Sequence, residues 1–290
     1  MIAGRGNRAE DIRMNEKLNY ELIASDLDGT LLKDDKTVDR ETRDAIHKYI
    51  AAGGKFCICT GRMLPSVEKI AADLGVGGIA TSYAGALVSN LDTGEILYEN
   101  SLSAADAAEI ADFVERDRVH LQFYTGRKYY VNCDNEMLAH YETSCRVKAE
   151  RVLNRSMASL IREKNERVNK LLIVVEDSKR HGQLLEKYRA KFGERFWVTR
   201  STPRYIEILS KTCNKGTALK FMAEYYHIPI EKTIAAGDQL NDEEMLNAAG
   251  IGFCMENGNE EMKARVRVFP AGNNDNAVGK IIEEYGFSRR

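Results

Sequence analysis

The sequence has no surplus of positive charge: 42 Lys and Arg stand against 44 Asp and Glu, for a formal net charge of −2. A nucleic-acid backbone demands neutralising cations, so that partner class is not expected. Long apolar runs are also missing. The cleanest run near the middle, residues 171–175, is far shorter than the roughly 20 residues that cross a bilayer, and no membrane partner is expected. The opening stretch, MIAGRGNRAEDIRMNEKLN, lacks a signal-peptide core, which predicts a cytoplasmic chain. Among the six cysteines there is no C-x-x-C and no Cys/His set with zinc-ligand spacing. Cys57, Cys59, Cys133, Cys145, Cys213 and Cys254 are therefore expected as reduced thiols packed like small hydrophobes. Internal repeats and low-complexity segments are absent too.

What is present is an ordinary globular balance, 43% hydrophobic and 30% charged, over 290 residues. That length suggests about two domains. Residues 1–18 have no apolar periodicity and read as a flexible lead-in. A strand is expected over 20–25 and a helix over 40–52, with Asp39 capping its start and Gly53 closing its end. A strand over 56–59, a helix from Pro65 to about residue 74 and a strand over 79–81 continue the alternation. Such alternation predicts a parallel sheet covered by helices. The pattern then changes to hairpins around Asp92-Thr93-Gly94 and Thr125-Gly126, mixed with helices near 104–116, 135–145 and 178–192. Strand–helix alternation resumes after about 210. The expectation is an α/β fold: a Rossmann-like parallel-sheet core, 19–83 plus 206–290, with an inserted α/β cap over 84–205.

Four short motifs carry chemistry. Asp26-Leu27-Asp28-Gly29-Thr30 follows a hydrophobic strand, and in open α/β sheets ligands bind beyond the carboxyl ends of the strands. One carboxylate there can attack phosphorus, and a second can protonate the leaving oxygen and later activate water. A turn that merely ends a strand also fits. Asp238-Gln239-Leu240-Asn241-Asp242 follows a second apolar strand and opens a helix. Phosphate beside Asp26, Asp28 and Asp238 would be repelled without a cation, and magnesium is the hard ion that takes oxygen ligands. A capped helix start fits this segment equally well. Thr60-Gly61-Arg62 offers a hydroxyl and N–H groups before a helix, a phosphate cradle or an ordinary loop. Lys215-Gly216 opens another helix; the lysine can neutralise phosphate or Asp26, or be a solvated surface residue.

The order D-x-D-G-T, T-G-R, K-G and G-D-x-x-N-D resembles the haloacid dehalogenase superfamily of phosphatases, and the inserted module resembles the cap of its Cof-like, sugar-phosphatase branch. The resemblance covers the chain beyond about residue 19. It implies a magnesium-dependent hydrolase of small phosphate monoesters, acting on a phosphorylated metabolite through an aspartyl phosphate. Asp26 would be nucleophile and metal ligand, and Asp28 acid/base and a ligand through its backbone carbonyl. Thr60, Gly61, Arg62, Lys215 and Asn241 would contact phosphate or substrate. Asp238 would bind magnesium, and Asp242 would orient Lys215 or a metal-bound water. Phosphomutase chemistry, or a sensor that binds without turnover, are the competing readings; the intact Asp28 argues against the sensor. Two positions depart from the branch pattern: Ala84-Gly85-Ala86 stands where Asn-Gly-Ala is usual, and Asp275-Asn276 where Asp-Gly is usual. Tyr83, Tyr124, Tyr129 and His140 are candidates for contacting the leaving group, with ordinary packing as the alternative.

Overall fold

The computed structural model describes residues 17–288. In chain order its strands are β1 (Leu22–Ser25), β2 (Lys55–Ile58), β3 (Ile79–Ser82), β4 (Leu87–Asn90), β5 (Ile96–Glu99), β6 (His120–Thr125), β7 (Lys128–Val131), β8 (Glu150–Arg151), β9 (Lys170–Val174), β10 (Phe196–Thr202), β11 (Tyr205–Ser210), β12 (Thr233–Gly237) and β13 (Ile251–Cys254). The described residues form two compact units. One holds the chain up to Ile58, Leu74–Gly78 and everything from Leu219 on; the other holds Cys59–Asp73 and Ile79–Ala218.

In the first unit four parallel strands run in the order β13-β12-β1-β2. β1 is buried at every position, as a central parallel strand covered on both faces requires. The helix Arg40–Ala51 presents Ala45, Ile46 and Tyr49 to the core, and each large apolar side chain so buried contributes about 1.5–3 kcal/mol. Asp39 caps it as expected: its carboxylate accepts the Thr42 N–H at 2.8 Å. Beyond its end, Gly53 takes φ +96°, and a Cβ on Gly54 would lie 2.3 Å from the Tyr49 ring. The lead-in expected over 1–18 lies outside the described residues up to 16. Lys17 accepts the Ser288 N–H at 2.8 Å, and Leu18 bridges Phe287.

In the second unit β3-β4-β5 form an antiparallel sheet, and a six-stranded sheet runs β10-β11-β9-β6-β7-β8. Both expected hairpins form, with Gly94 at φ +74° and Gly126 at φ +55° in their turns. The first belongs with β3, because the short turn Tyr83–Gly85 brings the chain straight back beside it and Ser82 pairs with Leu87. The helix Met157–Lys164 and the two-residue β8 are absent from the sequence reading. Only Met157, Ala158 and Ile161 of that helix are buried, too few to stand out as a periodic face. Among the described residues no helix is long and apolar enough to cross a membrane.

Buried Glu142 sets an acid limit on this unit. Burial alone would raise its pKa, but Lys148, the Ala149 N–H and Arg151 together outweigh that and hold it at about 2, against an ordinary 4.5. A depressed carboxylate stabilises the fold fully above its unfolded pKa and loses that contribution as pH falls through the folded one. Glu142 is therefore expected to add stability that is fully present above pH 4.5 and lost towards pH 2. Urea unfolding between pH 5 and 2 is expected to show this slope in the parent and a flatter one in Glu142→Gln.

Candidate active site

Strand register brings the two acidic motifs together. β1 lies beside β12 with Ser25 opposite Ala236, so Asp26 and Asp238 leave adjacent parallel strands at nearly the same level. Parallel neighbours are about 4.8 Å apart, and the Asp26 N–H still donates to Ala236 O at 2.9 Å. Carboxylate oxygens of Asp26, Asp238 and Asp242 consequently come within 4.8 Å of one another, and all three residues are buried. Three anions so close repel one another strongly away from water. Hard oxygen donors in this arrangement fit a divalent cation, which would sit among Asp26, Asp238 and Asp242.

The neighbours fix those carboxylates. Asp238 Oδ1 accepts the Thr30 hydroxyl at 3.0 Å, and its Oδ2 accepts the Gln239 side-chain amide at 2.9 Å. Asp242 Oδ2 accepts the N–H groups of Asp238 and Gln239, each at 3.0 Å. The capped-turn alternative thus holds for Asp242, which also joins the cluster. Asn241, beside it, is buried. Glycine is required next to Asp238: Gly29 has φ +81°, and a Cβ there would lie 2.4 Å from Asp238 Oδ2. The Gly29 carbonyl accepts the Asn257 amide at 2.9 Å, which pins the turn. The Asp28 carboxyl is 40% exposed and pairs with Lys36 at 2.8 Å.

The other motif residues lie in the second unit. Thr60 is buried, and its backbone bonds Thr81 and Ala84. Its hydroxyl oxygen accepts the Arg62 N–H at 3.2 Å. The Arg62 guanidinium donates to Ser144 O at 2.9 Å and Ser66 Oγ at 3.3 Å. Lys215, the first residue of the helix Lys215–Tyr225, is only 1% exposed, which excludes the solvated-lysine reading. A Cβ on Gly85, at φ +100°, would sit 2.3 Å from Asn214 O, so this glycine lets the Tyr83–Gly85 turn lie against the start of that helix.

A sequence model of the haloacid dehalogenase-like hydrolase family matches residues 23–282. The chain belongs to that family. Among curated relatives, the 5-amino-6-(5-phospho-D-ribitylamino)uracil phosphatase YitU of Bacillus subtilis is 29% identical over 270 residues, 91% of this chain and 97% of that protein. The phosphatase YwpJ of the same organism is 27% identical over 281 residues, 90% of this chain and 98% of that protein. The crystal structure of TM0651 from Thermotoga maritima superposes with a TM-score of 0.76 at 28% identity, covering 91% of this chain and 97% of that one. A haloacid dehalogenase-like hydrolase from B. subtilis, at 24% identity, shares the fold with a TM-score of 0.83, covering 91% and 99%. The protein is a phosphatase of this α/β family, as its motifs lead one to expect.

The phosphatase's two departures from the branch pattern both fall at left-handed backbone. Asn276 has φ +58°, a conformation that Asn tolerates in place of Gly, and its side-chain oxygen accepts the Thr42 hydroxyl. Ala84, at φ +56°, gains no such compensation, and Tyr83 beside it has φ +54°. Ala84→Gly is therefore expected to stabilise the fold by about 1 kcal/mol, read as a raised midpoint in urea.

Tyr83, Tyr124 and Tyr129 are core residues. Their hydroxyls meet Gly126 O, Gln122 with Tyr141, and Val147 O respectively, while His140 is exposed. Each of the six cysteines is a thiol. Burial, then Asp238 and Asp242, push Cys254 up to about 12, so it is inert at neutral pH. Thr30, Gln239 and Asn257 support the carboxylates but were not singled out by sequence. Thr30 and Gln239 stood inside the quoted motifs; Asn257, which holds the Gly29 turn, carried only a turn-former signal.

Proposed function

We propose that this phosphatase is a magnesium-dependent hydrolase of small phosphate monoesters, sugar phosphates or similar metabolites, acting through an aspartyl phosphate on Asp26. The observation that carries the reading is the buried Asp26–Asp238–Asp242 cluster at the ends of adjacent parallel strands. Asp26, Asp238 and Asp242 would hold the ion by side chains and Asp28 by its backbone carbonyl. Bound there, magnesium would offset the charge of the phosphoryl group against the carboxylates. A carboxylate oxygen of Asp26 attacks phosphorus in line. The bond to the leaving oxygen breaks, and Asp28 gives that oxygen its proton. Asp28, now ionised, takes a proton from water, which attacks phosphorus and returns Asp26 to its carboxylate form. Thr60, Gly61, Arg62, Lys215 and Asn241 hold the phosphoryl group or the substrate. Positioning and electrostatics supply most of the rate.

The domain reading from sequence accompanies this proposal: a catalytic core of 19–83 plus 206–290 and an inserted cap of 84–205. A cytoplasmic setting accords with six cysteines kept as thiols. Phosphate release from a panel of phosphorylated metabolites tests the function. Free phosphate from at least one small monoester supports it. Isomer formation from a hexose phosphate without phosphate release would turn the assignment to a mutase.

A further inference from the structure

Lys170 and Glu207 form a buried ion pair that no step above uses. Lys170 Nζ lies 3.2 Å from Glu207 Oε1, and the side chains are 3% and 5% exposed. The two residues sit on neighbouring antiparallel strands, β9 and β11. Lys170 also lies over the Tyr124 ring, 5.3 Å from its centre. Withdrawing two charges from water is costly, and apolar residues of similar size often give equal or greater stability. Stability alone is therefore a poor reason for the pair.

The lysine's third partner suggests another. Lys170 Nζ donates to the Gly61 carbonyl at 3.0 Å. That carbonyl belongs to the peptide joining Gly61 to Arg62, a trans and planar unit. Holding its oxygen on one side points the Arg62 N–H to the other, and that N–H donates to Thr60 Oγ1 at 3.2 Å. A hydroxyl has two acceptor lone pairs and one proton to give. With the Arg62 N–H on one lone pair, the direction of the Thr60 proton is restricted. Gly61 does not fix this peptide through a side chain, and even a Cβ there would meet nothing within 4 Å. Orientation must come from hydrogen bonds outside the residue.

We infer that the Glu207–Lys170 pair is a positioning device for Thr60: Glu207 holds Lys170, Lys170 holds the Gly61–Arg62 peptide, and that peptide sets the hydroxyl that meets the phosphoryl group. The inference rests on the reading of Thr60 as a phosphoryl ligand. It predicts an effect on turnover that passes through one hydroxyl, which a merely structural pair would not show.

The test is a mutant cycle on the full chain, with p-nitrophenyl phosphate as substrate and thermal melting as a control. Lys170→Met combined with Glu207→Leu removes both charges at little change of volume. It is expected to lower kcat about 10- to 100-fold, with KM altered less than about threefold. In a Thr60→Val background the same pair is expected to change kcat less than about twofold. Equal losses in both backgrounds, or parental kcat in the Thr60 background, would overturn the inference. Should the double variant not fold, Glu207→Gln serves in its place. A loss of about threefold or more that vanishes with Thr60→Val supports the inference, and no loss or a persisting one overturns it. Thr60→Val alone tests the underlying reading: parental turnover there removes Thr60 as a ligand whatever Lys170 does.

Discussion

Asp26→Asn is expected to lose about 10⁴-fold or more in turnover of p-nitrophenyl phosphate while keeping the parental fold. The amide has the shape of the carboxylate but is a far weaker nucleophile. It also removes one negative charge from a buried set whose oxygens lie within 4.8 Å of one another. Like charges in that setting destabilise the folded state, so the variant is expected to melt at the parental temperature or above it when no metal is present. The two readouts move in opposite directions, which separates loss of chemistry from loss of structure. Turnover near the parental value would remove Asp26 from its role.

Removing divalent metal with EDTA is expected to take hydrolysis to background, and added magnesium is expected to restore it. The stronger form of the prediction concerns Asp238. Its carboxylate is buried and held at both oxygens, by Thr30 and by Gln239, so it is presented in one orientation. Asp238→Asn keeps the shape and lowers the charge, and is expected to raise the magnesium needed for half-maximal activity by at least about tenfold. An ion that binds only the folded state also stabilises it. The parent is therefore expected to melt higher in magnesium, and the Asp238→Asn variant to show little of that shift. An unchanged shift in the variant would place the ion elsewhere.

The parts of the molecule that were legible in the sequence are those whose physics is local. The apolar runs that became β1 and β12 ended in carboxylates, and a parallel sheet leaves few places for such ends except one rim. Asp39 announced a helix start because its partner, the Thr42 N–H, is only three residues away. Thr30 and Asp238 illustrate what was hidden: 208 residues separate the hydroxyl from its acceptor. Asn257 is likewise 228 residues from Gly29. Lys170 and Glu207 are 37 residues apart and carry no local signal of their pairing, which strand register creates. Asp242 shows a different limit. Sequence posed helix cap and site carboxylate as alternatives, and a carboxylate near the start of a helical turn can serve as both.

The central claim is that phosphate passes through Asp26, and trapping it there is the most direct test. Asp28→Asn removes the group proposed to activate water, whereas p-nitrophenolate is a stable leaving group that needs little protonation. Mixing this variant with p-nitrophenyl phosphate and magnesium is expected to release one equivalent of p-nitrophenol per enzyme before slow turnover. Acid quenching, borohydride reduction and peptide mass spectrometry are then expected to find homoserine in place of Asp26. A burst whose phosphate is recovered on another residue would contradict the account.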